Sequence, residues 1–209
     1  MKIAVLGSTG RSGMLLVREL LRRDHAVSVL VRNPTKLGDL APQVQVHVGD
    51  SRNRTDLDRL VADVDAVVST LGPAAKEASL HTDTALALVA AMDAAGVERF
   101  VGVSGAGIDV PGDEKSWSAK VISKLIQTFG GEVVKDKPAE YEVYAASDLD
   151  WTLARPPRLV NGEATGHLEH HAHRSTNSTK ITRADLATFL ADEVEKDRYP
   201  RQAPFVASA

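Results

Sequence analysis

The sequence predicts an α/β fold: a doubly wound parallel sheet in a single domain over residues 1–209, with residues 155–209 as a small C-terminal cap. Two observations point there. Short β-branched runs alternate with helical patterns from residue 2 to residue 154, and a glycine-rich turn joins the first run directly to the first helix. With 209 residues, 43% hydrophobic and 25% charged, the chain is long enough for one domain with a large core.

Lys2 to Leu6 is the first buried strand. It ends in Gly7-Ser8-Thr9-Gly10-Arg11-Ser12-Gly13, and Met14–Arg23 then shows apolar residues at helical spacing. A strand, a glycine turn and a helix in that order cradle a pyrophosphate. Gly7 permits the tight turn, Gly10 lets the backbone approach the anion, and Gly13 lets helix and strand pack closely. The helix N-terminus presents free N–H groups. The spacing is G-x-x-G-x-x-G rather than G-x-G-x-x-G, and no Gly-Lys-Ser/Thr follows that would make it a Walker loop.

Val27–Val31 is the second strand, closed by Arg32-Asn33-Pro34, and Val44–Val48 is the third, ending in Gly49-Asp50. A helical pattern at Leu57–Ala62 leads to the fourth strand, Ala66–Ser69, which stops at Leu71-Gly72-Pro73. His81–Ala95 reads as a helix with Gly96 as its C-terminal cap. The fifth strand, Phe100–Val103, is followed by Ser104-Gly105-Ala106-Gly107. Residues 108–116 read as a loop, Ala119–Phe129 as an amphipathic helix, and Val133–Ser147 as another, or as one that starts at Pro138. Asp150–Ala154 is the sixth strand, stopped by Arg155-Pro156-Pro157. His167–Ser178 is a polar strand pair or loop. A last helix runs from the Ile181–Asp185 stretch to Val194 with Thr182 as N-cap, and Pro204–Ala207 is an edge strand. The strand-to-helix turns line the carboxyl edge of such a sheet, where ligands bind. Residues after 155 are too few for a substrate domain and are expected to fold over that edge.

Composition removes several classes. With no Cys there is no disulfide, thiolate catalysis or cysteine zinc site. A net charge of −3 gives no basic field for nucleic acid or an anionic membrane. The longest apolar run, Ala85–Met92, is too short for a bilayer, and no basic segment leads into a signal-peptide core. The expectation is a soluble cytoplasmic protein without nucleic-acid or membrane partners, its oligomeric state open.

An enzyme choosing NAD usually places an acidic residue at the end of the second strand to bind the ribose 2′-OH. Here Arg32 stands there, and a guanidinium suits a 2′-phosphate. Arg11 is placed to reach the same phosphate, so NADP(H) is the expected cofactor. Asp50 and Ser51 either contact the adenine or simply form the turn. Leu71, Gly72 and Pro73 pass under the adenosine ribose and the pyrophosphate. Ser104 lies where a nicotinamide would, as a partner for its carboxamide or for the acceptor, or as a hydroxyl satisfying the turn.

The segments Gly-Ser-Thr-Gly-Arg-Ser-Gly at 7–13, Val-Leu-Val-Arg-Asn-Pro at 29–34, Val-Gly-Asp at 48–50, Val-Ser-Gly-Ala-Gly at 103–107 and Leu-Asp-Trp-Thr-Leu-Ala-Arg-Pro-Pro at 149–157 together resemble the atypical short-chain dehydrogenase/reductases. The likeness is strongest to the branch of NmrA-like redox sensors and biliverdin reductase B-like flavin reductases, and covers residues 2–160 best. It implies a Rossmann fold, bound NADP(H) and an active site beside Ser104. It also implies that Pro156 and Pro157 shape a nicotinamide pocket. Where the flavin reductases have a His after the two prolines, this chain has Arg158, suited to an anionic acceptor such as a flavin phosphate.

The family's Tyr-x-x-x-Lys is absent: four residues after Tyr141, Tyr144 and Tyr199 stand Ala145, Asp148 and Ala203. Tyr141 and Tyr144 therefore read as core or groove residues, and alcohol dehydrogenase, epimerase or dehydratase chemistry lacks its acid. Flavins and quinones accept a hydride without one. The leading expectation is an NADPH-dependent reductase passing hydride to a small-molecule flavin or quinone-like acceptor, with Ser104 and Arg158 as candidate catalytic residues. The alternatives are a non-catalytic NADP(H)-sensing regulator and a nucleotide-sugar epimerase or dehydratase. Lys135, Asp136 and Lys137 fall near where relatives place polar site residues, but read more readily as a solvated helix start. His167, His170, His171 and His173 with Glu169 read as a polar strand or loop, and no metal is expected. Trp117 is a lid or a packing residue, and Trp151 belongs in the core.

Overall fold

In this computed structural model, residues 1–72, 78–114 and 131–209 are described, with backbone alone for 131–135. Pro73, Trp117, the side chain of Lys135 and the helix expected over Ala119–Phe129 lie outside them.

Six parallel strands form the sheet: β1 (Lys2–Leu6), β2 (Ala26–Val31), β3 (Gln45–Val48), β4 (Ala66–Ser69), β5 (Arg99–Val103) and β6 (Asp150–Ala154). Their order is β3-β2-β1-β4-β5-β6. The chain reverses direction of growth between β1 and β4, with Val5 registered to Val29 on one side and Val68 on the other. A crevice opens at such a switch point because the connections diverge to opposite faces.

Alternating side chains feed two cores. Ile3, Val5, Val29, Val68 and Val101 pack with Leu16 and Leu20 of α1 (Arg11–Arg22). Ala4, Leu6, Val67 and Phe100 face α2 (Arg54–Val61), α3 (Leu80–Ala95) and α4 (Gly131–Ala146). Both faces are covered, so the strands read as nearly continuous apolar runs. Asn53 caps α2 by accepting from the N–H groups of Thr55 and Asp56, and Gly96 closes α3 with φ 68°.

The differences from expectation are local. Helix α1 begins at Arg11 inside the glycine turn, not at Met14. Residues Pro34–Gln43 form helical turns broken at Gly38 and bury Leu37 and Leu40, a pattern too short to show a period. Helix α4 starts at Gly131 and runs through Pro138. On the turn that contains the proline, Asp136 and Lys137 are tied by tertiary bonds, which outweigh local propensity.

The largest difference concerns residues 155–209. Helix α5 (Arg183–Lys196) packs on α1 against the same face of the sheet, through Phe189, Leu190 and Val194. This region thus supplies an outer layer of the fold. Strand β7 (Arg158–Val160) pairs in parallel with β9 (Lys180–Thr182), and β8 (Leu168–His171) pairs antiparallel with β10 (Phe205–Ser208). The segment leading into β10 also lies parallel along β6, the sheet's edge strand, through bridges between Thr152 and Gln202 and between Arg155 and Phe205, in keeping with the edge position expected for Pro204–Ala207. Among the described residues, no helix is long and apolar enough to cross a membrane.

Candidate functional site at the carboxyl edge

The glycine turn is shaped by contacts that forbid side chains. Gly7 has φ 76°, and a Cβ there would lie 2.8 Å from the backbone of Thr70 and Leu71. A Cβ on Gly13 would lie 2.1 Å from the Gly7 carbonyl oxygen, so α1 sits directly on the turn. The N–H of Gly10 donates to Gly7 O at 2.9 Å. No side chain caps the N-terminus of α1, and its first turn holds no acidic residue. Its free N–H groups and positive dipole end therefore suit an anion.

Most of the expected residues meet in one cleft of about 450 Å³, lined by Gly7, Thr9, Gly10, Arg11, Ser12, Arg32, Leu71, Gly72 and Ser104. A smaller pocket of about 90 Å³ shares Gly7, Thr9, Arg32 and Leu71 with it and adds Asp50 and Ser51. Ser8 and Gly13 are buried beneath the turn. The hydroxyls of Ser8 and Ser104 are buried without a hydrogen-bond partner. An unmatched buried hydroxyl costs roughly 1–3 kcal/mol, and Ser104, which lines the cleft, is a natural contact for a polar ligand. At Gly72 a Cβ would meet none of the described residues within 4 Å, which leaves space beside the backbone. An uncapped helix end, open backbone at Gly72 and the unmatched Ser104 hydroxyl at the far end of the cleft fit a dinucleotide.

Asp50 is held in its turn by Arg52, whose Nη2 donates to Oδ2 at 2.8 Å and whose backbone N–H donates to Oδ1 at 2.9 Å. The Arg52 hydrogen bond lowers the Asp50 carboxyl to about 2. Ser51 Oγ and Thr84 Oγ1 share a hydrogen bond of 2.9 Å. Both residues thus close a turn and also border the smaller pocket.

Two expected positions are corrected. Arg158 is exposed and absent from the cleft wall: strand alternation turns Leu159 into the cleft and Arg158 away from it. Pro156 is buried behind the loop, its carbonyl accepting from Ala106 N at 3.3 Å, and does not line the cleft.

Lys137 and Asp136 are not a solvated helix start. Asp136 is buried and accepts from the N–H groups of His81 at 2.7 Å and Thr82 at 3.1 Å, so a residue of α4 caps α3. Lys137 lines the cleft with Ser104, donating from Nζ to Val103 O at 2.9 Å and to Glu140 Oε2 at 2.8 Å. Burial raises the Glu140 carboxyl, and Lys137 opposes that shift. In sequence the run Lys-Asp-Lys-Pro looks like ordinary surface charge, and only the packing of α4 against α3 distinguishes it. Arg183, the first residue of α5, also lines the cleft and had no sequence signal.

His81 is buried with neither ring nitrogen bonded, and burial, followed by the Lys137 charge, lowers it to about 4. The unfolded chain takes up this proton near pH 6.5 and the folded chain only near 4, so this residue's contribution to stability falls as pH drops through that window. Glu140 acts in the opposite sense, so the comparison needs a variant. Between pH 7 and pH 5, His81→Gln is expected to gain about 2 kcal/mol relative to wild type in urea unfolding. Parallel pH profiles would disprove the assignment.

Arg155, read from sequence only as a strand stop, is fully buried. It donates to both Asp113 carboxylate oxygens at 2.7 Å, and to Ala203 O at 2.6 Å and Ala172 O at 3.2 Å. It thereby fixes the loop after Ser104 to the end of β6. Tyr144 stacks on Phe100 with centroids 4.3 Å apart, and Tyr141 meets Trp151 edge-on at 5.8 Å, so both tyrosines and Trp151 belong to the core. The histidines do not converge: His170 Nδ1 bonds Tyr199 Oη at 2.6 Å, while His171 Nδ1 accepts from the N–H groups of His173 and Arg174. A larger cavity, about 730 Å³, lies between α3 and α4 at the opposite edge. Its charged lining residues are Asp93, Glu98, Glu142 and Asp148, all carboxylates, which repel a polyanionic ligand.

Comparison with known proteins agrees with this geometry. A Burkholderia pseudomallei protein described as exported is 33% identical, with a TM-score of 0.80 and 99% of each chain covered. A short-chain dehydrogenase/reductase from Veillonella parvula, solved in complex with NADP, is 21% identical with a TM-score of 0.82, covering 99% of this chain and 94% of that one. ChuY, an anaerobilin reductase from Escherichia coli O157:H7, is 20% identical with a TM-score of 0.83, covering 100% of this chain and 97% of that one. The last two share the fold. A family described as NAD(P)H-binding matches residues 7–197. With its parallel sheet, its glycine turn and that match over most of its length, the chain belongs to the NAD(P)H-binding family, on a Rossmann-like frame.

Proposed function

We propose that this protein is an NADPH-dependent reductase that passes hydride to a flavin- or quinone-like small molecule. The single supporting observation is that one cleft runs from the α1 N-terminus, Arg11 and Arg32 to Ser104 and Lys137. The nicotinamide supplies the hydride when bound. The chain's own residues do the rest. The α1 N-terminus takes the pyrophosphate, Arg32 and Arg11 take the 2′-phosphate, and Ser104 Oγ is a partner for the carboxamide or the acceptor. The Lys137 ammonium stabilises negative charge developing on the acceptor. The buried Tyr144 is out of reach as an acid, which favours acceptors that take their later proton from solvent.

The same lack of a tyrosine acid favours a second reading, a protein that senses NADP(H) without turnover. An epimerase or dehydratase acting on a nucleotide sugar has less support, since α5 takes much of residues 155–209 for the sheet's outer layer. Binding of NADPH measured by fluorescence, then its consumption with FMN, riboflavin and a panel of short quinones, separates these. Turnover that drops in Ser104→Ala supports the reductase. Tight binding with no turnover on any acceptor supports the sensor.

Arg32→Asp tests the cofactor preference. It is expected to weaken NADPH roughly 10- to 100-fold, the value of a charge-assisted hydrogen bond, and to leave NADH unchanged. Equal effects on the two cofactors, read by fluorescence titration, would overturn the role given to Arg32.

A further inference from the structure

The cationic residues of the cleft differ in what neutralises them. Lys137 is matched by Glu140 at 2.8 Å. Arg32 stands beside Asp50 and helps hold that carboxyl down. Arg183 has no carboxylate partner among the described residues. It meets a neutral side chain instead, Nη1 donating to Asn161 Oδ1 at 2.7 Å. Burial, and then the charge of Arg11, hold its guanidinium below the usual range. Among the described residues, no carboxylate lines the cleft. Arg183 is half-buried, and the wall around it also includes Leu159 of β7 and Leu186 of α5.

A half-buried guanidinium with a like charge for its electrostatic neighbour is held at a cost unless an anion completes it. The cofactor's phosphates have their own partners in the α1 N-terminus, Arg11 and Arg32. Arg183 comes from the part of the chain that reaches this edge only through β7, β9 and the start of α5. It brings two leucines with it. We propose that Arg183 is the recognition point for an anionic group on the hydride acceptor, a phosphate or carboxylate, with Leu159 and Leu186 against the acceptor's apolar body. This rests on the reductase reading and narrows it to anionic acceptors.

FMN and riboflavin are matched probes, sharing the ring and differing by one phosphate. With the protein saturated with NADP⁺, so that the cofactor's phosphate sites are filled, FMN is expected to bind at least about tenfold more tightly than riboflavin by flavin fluorescence quenching. Arg183→Gln should reduce that ratio to near one and leave NADP⁺ affinity unchanged, while Arg183→Lys should retain part of it. A thermal melt of each variant confirms the fold, and Thr182, the cap of α5, is untouched. Equal binding of the two flavins to wild type would overturn the proposal. So would an unchanged ratio in Arg183→Gln, or a loss of NADP⁺ affinity with the ratio intact, which would give Arg183 to the cofactor. NADPH consumption run on both flavins separates the two readings. A binding preference without turnover would sink the reductase and leave the anion subsite, whereas turnover without a preference would do the reverse.

Discussion

Gly13→Ala is expected to abolish measurable NADPH binding and to destabilise the fold. The added methyl would lie 2.1 Å from the carbonyl oxygen of Gly7 and 2.8 Å from Ser8 Cα, both backbone atoms of the turn. Nothing flexible can yield, so α1 must move off the turn, and its N-terminus no longer points at the anion. Overpacking of this kind costs about 1–3 kcal/mol or more, and cofactor affinity should fall by more than about 100-fold once the helix end is displaced. Gly72→Ala is the informative companion. Its Cβ meets none of the described residues within 4 Å, so thermal stability should hold while NADPH affinity drops, because the methyl occupies space the cofactor needs. Thermal denaturation and fluorescence titration of the two variants together test the assignment. Wild-type affinity in Gly13→Ala would show that the turn is not the phosphate cradle.

Arg155→Ala is expected to cost about 3–5 kcal/mol in urea unfolding, the usual result of stranding one member of a buried ion pair. Asp113 would lose both of its 2.7 Å bonds, and the carbonyls of Ala203 and Ala172 would lose a donor each. The guanidinium also covers the Phe205 ring, its Cζ 3.8 Å from the centroid, so packing is lost along with charge. The double variant Arg155→Ala/Asp113→Ala should be less destabilised than the sum of the singles, since the two residues share one ion pair. Ser104 itself is held independently, its N–H donating to Ala154 O at 2.8 Å. NADPH affinity should therefore change less than stability. A cost below about 1 kcal/mol would mean that the pair does not hold the loop.

The site was readable in sequence wherever chain order alone places it. In a parallel sheet every strand ends at the same edge, so the turns after β1, β2, β4 and β5 had to bring Gly7, Arg32, Leu71 and Ser104 together. The glycine turn was readable because Gly7 and Gly13 each answer a backbone clash that a side chain does not escape. Parallel pairing and helices on both faces followed from short-range patterns that these connections leave little freedom to rearrange.

Long-range packing settled what the pattern left open. Lys137 and Asp136 sit in a charged run that looks solvated until α4 lies against α3, where one residue caps a foreign helix and the other reaches the cleft. Arg158 and Leu159 are neighbours in the chain, and which of them faces the ligand depends on the pairing of β7 with β9, a register that no local signal defines. Arg155 follows a strand as any stop residue might, yet its partners lie 42, 17 and 48 positions away. Local residue types and their spacing determined the sheet and the glycine turn at its carboxyl edge, because period and turn chemistry act over a few residues. Tertiary structure alone decided which charges are buried, paired or left facing the cleft, because desolvation and pairing depend on neighbours that the chain brings together only on folding.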